Sequence, residues 1–294
     1  MTKVAVLGSG KMGGAIARRL KQGGFEVLVW DRTRSKAEAL GVGPVADSPA
    51  AATRSADVVI SMVTGPQAVR DIYFGEYGVF QTASNKPIVD MSTIGPDMAA
   101  ELQRGAEFKG ARLIEAPVIG SVPAVNSGSL LILAGAAAAE DLEEARPVLE
   151  QLGEVHYVGD RGSAASLKLV ANSFLGIIST AAAELMAAGT AHGLNPDEVF
   201  TILTRFSPGL RVREAGFVKH SYEPTMFAMR DLLKDLDLAL ALYQSSPSSA
   251  VPLTSLTRDL VAGVAAAAPD LDISAVVKAY EPDGTAVRRK QEVG

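Results

Sequence analysis

The feature that most constrains the fold is a change of pattern near residue 162. Before it, short apolar runs rich in Val and Ile alternate with helical segments. The runs show no polar alternation, which is typical of strands buried on both faces of a parallel sheet. After residue 162 the pattern is helical throughout. We therefore predict a doubly wound α/β domain over residues 1–162 and an all-α domain over residues 163–294, joined by a long interdomain helix.

The pattern also predicts where the individual elements lie. The predicted strands are Val4–Leu7, Val27–Trp30, Val58–Val63, Ile88–Met91, Leu113–Val118, Leu130–Leu133 and Val155–Val158. The predicted helices of the first domain are Met12–Gln22, Ser35–Leu40, Pro66–Ile72, Pro96–Arg104 and Glu140–Leu152. As one helix, residues 163–192 would reach about 45 Å. Further helices are predicted after Asn195 and over Met226–Tyr243, Leu253–Ala266 and Ile273–Tyr280.

Composition argues against several classes of function. The chain has 28 basic and 33 acidic side chains and a net charge of −5. Nucleic-acid and anionic-membrane binders need clustered positive charge, so we expect neither partner. There is no cysteine and there are only three histidines, so we expect no disulfide, no thiol nucleophile and no metal site.

Two segments bear on location. Leu169–Ala188 is apolar, but it carries Glu184 and several hydroxyl and amide side chains. This favours a helix buried between domains over a bilayer span. The first residues lack the apolar core of a signal peptide, so we expect a cytoplasmic protein.

A glycine motif lies between the first predicted strand and the first predicted helix. In this context G-x-G-x-x-G predicts a Rossmann-like dinucleotide site, because glycines let the backbone turn tightly and approach a pyrophosphate. The charge of the pyrophosphate then lies at the helix N-terminus. The predicted loop residues are Gly8, Ser9, Gly10, Lys11, Met12 and Gly13.

The end of the second strand carries conflicting signals about the cofactor. Asp31 is 23 residues after Gly8, where an acid binds the ribose hydroxyls of NAD. Arg32 can instead hold the additional phosphate of NADP, and a charge-assisted hydrogen bond of about 1.5–3 kcal/mol would offset repulsion from Asp31. We favour NADPH, with NADH as the alternative. The other residues predicted at this site are Thr33, Lys36, Met62 and Val63.

Lys168 and Asn172 lie four residues apart on the predicted long helix, so they share one face. A lysine on a mostly apolar helix at a domain junction is costly unless it faces a cleft. A lysine can also extend its ammonium to solvent along an apolar surface. Spacing alone leaves both interpretations open.

Four motifs occur in order along the chain. They are VAVLGSGKMG at 4–13, DMSTIGP at 90–96, EAPVIGS at 115–121 continued by GSL at 128–130, and Gly162 with KLVAN at 168–172. Together with Lys234-Asp235-Leu236 they resemble the β-hydroxyacid dehydrogenase family, related to 3-hydroxyisobutyrate and 6-phosphogluconate dehydrogenases. WDRT at 30–33 and DLDISAV at 270–276 are similar to the glyoxylate and succinic semialdehyde reductases, although these tend to have Asn where Asp31 stands.

The resemblance implies roles for individual residues. Hydride would move from the nicotinamide to the carbonyl carbon of a small aldehyde or 2-oxo acid, and Lys168 would donate a proton to the developing alkoxide. Asn172 would align Lys168 with the carbonyl oxygen, and Asp235 would orient the site. Ser121 and Thr93 would bind the substrate carboxylate, unless they serve as turn or cap residues. The other implied residues are Gly120, Ile119 and Phe227 in the substrate pocket, with Thr93 and Lys234 at the cofactor.

Two positions leave the substrate pocket open to interpretation. Phe227 fits the core of the helical domain as well as it fits the pocket. Ile119 departs from the family pattern, which usually has Ser there. Losing a hydrogen bond to a charged group costs about 1.5–3 kcal/mol. We therefore expect a weaker preference for a carboxylate and a pocket suited to larger or more apolar aldehydes.

We predict an NADPH-dependent reductase of small carboxylated aldehydes, such as glyoxylate or succinic semialdehyde. An imine reductase on the same scaffold is the alternative, and Lys168 argues against it because imine reductases usually have Asp or Tyr there. A non-catalytic dinucleotide-binding interaction protein is the alternative of another class. We also expect a homodimer or homotetramer, because one small domain cannot cover an apolar helix of this length.

Overall fold

The chain folds into two compact units. The structure, a computed structural model, describes residues 1–83, 85–246 and 248–281. The first unit is Met1–Lys168 and the second is Leu169–Gly294. One helix, α8 (Ser163–Ala191), begins in the first unit and continues in the second. The predicted domain boundary, residue 162, lies immediately before α8.

Within the described residues, eight strands of the first unit form one sheet. They are β1 (Lys3–Leu7), β2 (Glu26–Trp30), β3 (Val58–Ser61), β4 (Pro87–Asp90), β5 (Arg112–Glu115), β6 (Val118–Ile119), β7 (Leu130–Gly135) and β8 (Gly153–Gly159). The strand order is β2-β1-β3-β4-β5-β7-β6, and β8 pairs with β7. All pairs are parallel except those of β7 with β5 and with β6. The predicted doubly wound sheet is thus confirmed, with an antiparallel portion that was not predicted.

Helices connect the strands of this sheet. They are α1 (Lys11–Gln22), α2 (Arg34–Glu38), α3 (Pro49–Ser55), α4 (Pro66–Phe74), α5 (Gly95–Lys109), α6 (Val122–Ser127) and α7 (Arg146–Glu150), with 3-10 helices at Val79–Gln81 and Ala139–Leu142. The sheet is covered on both faces, because successive residues of β1 belong to two different apolar clusters. Val4 and Val6 pack in one, and Ala5 and Leu7 pack in the other.

The predicted strand Leu113–Val118 was wrong in its extent. The chain forms β5 and β6 instead, separated by Ala116 and Pro117. Proline has no N–H to donate to a sheet, but the carbonyl of Pro117 accepts a hydrogen bond from the N–H of Leu133 at 2.9 Å. The break lets β6 pair antiparallel with β7 and turns the chain towards residues 119–121.

The predicted helix Glu140–Leu152 was also wrong as a single element. Residues 139–142 form a 3-10 helix and α7 is a separate short helix. Pro147 is the second residue of α7. Proline is accommodated in the first turn of a helix but disrupts a helix interior, so a new helix begins at this point.

The second unit is helical, as predicted. After α8 come α9 (Pro196–Phe206), α10 (Glu214–Lys219), α11 (Met229–Gln244) and α12 (Pro252–Ala267), with 3-10 helices at Pro208–Arg213 and Ile273–Tyr280. Its core includes Phe200, Phe217, Leu232, Leu236 and Val276. Three details differ from expectation: α11 begins three residues later than predicted, Ile273–Tyr280 is a 3-10 helix, and the helical elements over residues 208–219 were not predicted.

The apolar stretch singled out in the sequence lies within α8. In the described part of the chain, α8 is the one helix long and apolar enough to cross a membrane, judged by length and composition alone. Of its most apolar 18-residue window, 50% is buried inside the fold. Core helices of soluble proteins share these properties, so the length and hydropathy of α8 do not distinguish a membrane span from a core helix.

Candidate active site

The glycine-rich turn joins β1 to α1. Gly8 has φ +103°, and a Cβ there would lie 2.3 Å from the carbonyl oxygen of Met62. A Cβ at Gly13 would lie 2.0 Å from the carbonyl oxygen of Gly8, whereas a Cβ at Gly10 would meet no atom within 4 Å. Gly8 and Gly13 are therefore required by close backbone packing. Gly10 leaves an open approach to the N-terminus of α1, which no side chain caps, and this arrangement fits a pyrophosphate.

The carboxylate of Asp31 ties this turn to the end of β2. Its Oδ2 accepts hydrogen bonds from the N–H and the hydroxyl of Ser9, both at 2.7 Å, and its Oδ1 accepts one from the N–H of Thr33 at 2.8 Å. Burial acts to raise the pKa of Asp31, but these hydrogen bonds and the charge of Lys36 hold it below its usual value. The structure thus brings Ser9, Asp31 and Thr33 together. Arg32, Thr33 and Lys36 are exposed.

A buried polar network lies at the carboxyl ends of β3 and β4. Asp90 Oδ1 accepts hydrogen bonds from the hydroxyls of Ser61 at 2.6 Å and Ser92 at 2.8 Å. Ser61 is also bonded to the hydroxyl of Tyr73, and Ser92 accepts the N–H of Val63. Burial raises the pKa of Asp90 to about 6, against the effect of both serines. The network fixes the loop that carries Met62 and Val63, the residues predicted beside the cofactor.

Lys168 lies near the start of α8 and is held by the segment that follows β5. Its Nζ donates a hydrogen bond to the carbonyl oxygen of Val118 at 2.7 Å. Lys168 is partly buried, so its ammonium is not simply directed to bulk solvent. The residues after Val118 are the predicted substrate residues, and Lys168 is therefore placed at the beginning of that segment.

The segment Ile119–Gly120–Ser121 follows β6. Ile119 is 39% exposed, and Gly120 has φ +135°, a conformation that favours glycine. A Cβ at Gly120 would also lie 2.7 Å from Cδ2 of Leu130. Ser121 is the N-cap residue of α6, yet its side chain makes no capping hydrogen bond. The capping role considered for the Ser121 hydroxyl is therefore not seen. Thr93 is half-buried between β4 and α5.

In the second unit, Asn172 and Asp235 form a buried pair. The amide Nδ2 of Asn172 donates to Asp235 Oδ2 at 2.5 Å, although the residues are 63 positions apart. Lys234 forms an ion pair with the other oxygen of Asp235, whose side chain is 2% exposed. The pair fixes the orientation of the Asn172 amide. The structure thus brings together three predicted residues from α8 and α11.

Phe227 lies on a different segment of the second unit, immediately before α11. It is partly buried and packs against the helical core. Asp272 holds this segment, because its Oδ2 accepts the N–H groups of Met226 at 3.0 Å and Phe227 at 3.1 Å. Asp272 Oδ1 accepts from Arg213 Nε at 3.0 Å and from the Ser274 hydroxyl at 2.9 Å. Phe227 thus lies at the edge of the helical core, and hydrogen bonds to Asp272 hold its backbone in place.

Four groups that organise these sites had no role assigned from the sequence. They are the carboxylates of Asp90, Glu115 and Asp272 and the carbonyl of Val118. Asp90 and Glu115 could have been recognised from the sequence, because each is an acid at the end of an apolar strand that the sheet buries. A backbone carbonyl has no such sequence pattern. Among the residues that the structure describes, no cluster of His, Asp and Glu could hold a metal ion.

Two family models cover the chain in succession. A model of the NAD binding domain of 6-phosphogluconate dehydrogenase matches residues 3–159. A model described as NAD-binding of NADP-dependent 3-hydroxyisobutyrate dehydrogenase matches residues 162–280. The 3-hydroxyisobutyrate dehydrogenase of Pseudomonas aeruginosa is 34% identical over 95% of this chain and 99% of its own length. The chain belongs to the 3-hydroxyisobutyrate dehydrogenase family.

Further comparisons agree on this β-hydroxyacid dehydrogenase family. Glyoxylate/succinic semialdehyde reductase 1 of Arabidopsis thaliana is 32% identical over 95% of this chain and 98% of its own length. The solved structure of the Mycobacterium tuberculosis 3-hydroxyisobutyrate dehydrogenase with L-serine has a TM-score of 0.83 at 28% identity. It covers 96% of this chain and 99% of its own. The protein is therefore an NAD(P)-dependent dehydrogenase, from a family that acts on small hydroxyacids.

Proposed function

We propose that this dehydrogenase is an NADPH-dependent reductase that converts small carboxylated aldehydes, such as glyoxylate or succinic semialdehyde, to hydroxyacids. The observation that carries the proposal is the partly buried ammonium of Lys168. It is held by Val118 at the start of the segment that ends in the Ser121 hydroxyl. The similarity to the Arabidopsis reductase supports this substrate class.

The residues of the chain divide the chemistry between them. NADPH supplies the hydride when bound. Lys168 Nζ donates its proton to the oxygen of the reacting carbonyl, which stabilises the developing alkoxide. The hydroxyls of Ser121 and Thr93 donate hydrogen bonds to the substrate carboxylate. Asn172, held by Asp235, presents a fixed amide one helical turn after Lys168 on α8.

The cofactor preference rests on Arg32. Arg32 is exposed beside the glycine-rich turn, whereas Arg34 is paired with Glu38 and Asp47, each at 2.8 Å. Arg32 is therefore the arginine that we assign to the additional phosphate of NADPH. The repulsion between Asp31 and this phosphate is reduced, because both carboxylate oxygens of Asp31 already accept protein hydrogen bonds.

Arg32→Gln is expected to weaken NADPH selectively. Loss of a charge-assisted hydrogen bond costs about 1.5–3 kcal/mol, which is roughly a 10- to 150-fold rise in the KM for NADPH. The KM for NADH should change little. Steady-state kinetics with both cofactors measures the effect, and Arg34→Gln is the matched control. Equal losses for NADH and NADPH in Arg32→Gln would contradict the assignment.

The first test of the function is the initial rate of NADPH and NADH oxidation with glyoxylate and succinic semialdehyde. Faster turnover with NADPH than with NADH supports the proposal and shows that Ile119 tolerates a carboxylated substrate. A protein that binds NADPH but turns over neither acid would refute this substrate class. Apolar aldehydes and cyclic imines would then be assayed, because Ile119 places an exposed apolar side chain beside Gly120 and Ser121.

We further propose that α8 packs against a second copy of the chain. Val170, Phe174 and Leu185 are 48%, 63% and 50% exposed, and their spacing places them along one side of the helix. Exposed apolar side chains aligned in this way are typical of subunit interfaces. Light scattering should give about two or four times the 30.6 kDa of one chain, and Phe174→Asp should lower that mass. A wild-type mass of one chain would exclude the oligomer.

A further inference from the structure

Glu115, the last residue of β5, is a buried carboxylate at the beginning of α8. It is 4% exposed. One of its oxygens accepts the N–H of Gly162 at 2.7 Å, and the other accepts the N–H of Ala165 at 3.3 Å. The first turn of α8 contains no acidic residue of its own. Glu115 thus supplies, from a strand, the acceptors that the free N–H groups of a helix N-terminus need.

The chain segment that begins at Glu115 also holds Lys168. Val118, three residues after Glu115, accepts the hydrogen bond from Lys168 Nζ. Gly135 of β7, which pairs with Glu115, makes room for the helix: a Cβ there would lie only 3.1 Å from Cβ of Ala164. The first two turns of α8 are therefore attached to one short segment at two points, a carboxylate and a carbonyl.

We propose that Glu115 is a positioning residue for Lys168. Its carboxylate fixes where α8 begins, and because the helix is regular, it thereby fixes where the Lys168 side chain leaves the helix. Lys168 then keeps a constant distance from the Val118–Ser121 segment. This inference rests on the proposed function, in which Lys168 is the proton donor. Glu115 acts through Lys168 and not on the reacting atoms.

Ionisation of Glu115 has a cost in the stability of the fold. Burial raises its pKa; the N–H groups of Gly162 and Ala165 lower it, Asp160 raises it and Arg161 lowers it, and the net result is a raised pKa. An acid with a raised pKa in the folded state favours folding while it is neutral. That contribution is lost as the pH rises through the folded pKa. The ionised carboxylate is therefore kept at a net cost to folding, and its local contribution is the pair of hydrogen bonds to Gly162 and Ala165.

The test compares Glu115→Gln with Glu107→Gln. Gln keeps one acceptor oxygen for Gly162 but offers a donor, not an acceptor, to Ala165. We expect kcat to fall about tenfold, less than the 10²-fold that a 1 Å misplacement can cost. The KM for NADPH and aldehyde should stay within about twofold. Glu107, exposed and paired with Arg161, is the control and should leave kcat unchanged.

Two further measurements decide whether Glu115 acts through Lys168. In the Lys168→Ala background, Glu115→Gln should cause no additional loss of kcat, because the group that it positions is absent. A full tenfold further loss would overturn the inference. Hydrogen exchange of residues 162–166 should be faster in Glu115→Gln than in Glu107→Gln, and unchanged exchange would also overturn it. Hydrogen exchange can be measured without turnover. A wild-type protein that reduces no aldehyde would therefore refute the proposed function, while the anchoring of the start of α8 by Glu115 could still be measured.

Discussion

Replacement of Lys168 by Ala is expected to reduce kcat by about 10²- to 10⁴-fold, the range that a positioned general acid contributes. The substitution removes the ammonium that the Val118 carbonyl holds, and water would have to protonate the developing alkoxide. The glycine-rich turn and Asp31 are untouched, so NADPH should bind as it does to the wild-type protein. The measurement is steady-state turnover of the best aldehyde, with NADPH affinity followed by fluorescence titration.

The matched control for this prediction is Lys109→Ala. Lys109 is the exposed last residue of α5, so its loss should leave both kcat and affinity unchanged. Lys168→Met provides a second comparison, because it retains most of the side-chain volume without the proton. If Lys168→Ala kept wild-type turnover, Lys168 would not be the proton donor. If Lys168→Ala and Lys168→Met both lost NADPH binding together with turnover, Lys168 would be a binding residue instead.

Asp272→Ala is expected to destabilise the helical unit by about 3–5 kcal/mol, the cost of leaving one member of a buried ion pair without its partner. Arg213 and Asp272 have side chains that are 8% and 4% exposed. The substitution also removes the acceptor for the N–H groups of Met226 and Phe227. Urea unfolding followed by circular dichroism measures the loss of stability.

Asp270→Ala is the control for this prediction, since it removes an acid only two residues away. Asp270 is paired with Arg230 on the surface, with side chains 72% and 60% exposed, and exposed pairs contribute about 0–1 kcal/mol. Adding Arg213→Met to Asp272→Ala should restore part of the stability, because the unpaired buried charge is then removed. Equal stabilities of Asp272→Ala and Asp270→Ala would contradict the importance of the buried pair.

The first unit shows how far periodicity predicts a fold. Buried strands such as β1 and β3 are continuous apolar runs, and α1 and α4 begin at glycine or proline residues that local rules identify. The short helices α3 and α6 were not predicted, and two predicted elements were wrong where a proline redirected the chain, at Pro117 and Pro147. At both places the outcome depends on which distant strand or helix is available for pairing, and local preference does not contain that information.

The candidate site divides in the same way. The sequence indicated the glycine-rich turn and the pair Lys168 and Asn172, because a motif and a four-residue spacing are local properties. It could not indicate that Asn172 donates a hydrogen bond to Asp235, 63 positions away, or that the carboxylate of Asp31 accepts hydrogen bonds from Ser9. These partners are chosen by the packing of whole elements, which brings specific side chains within hydrogen-bonding distance.

The sequence by itself determined the change from an α/β domain to a helical one, the dinucleotide turn and the family, because each depends on periodicity or on a short motif. Only the tertiary structure decided which buried acids organise the site. Asp90 meets Ser61 across 29 positions, and Glu115 meets the start of α8 across 47. A buried carboxylate must find donors to compensate for lost hydration, and in a parallel sheet those donors come from neighbouring strands and helices far away in the chain.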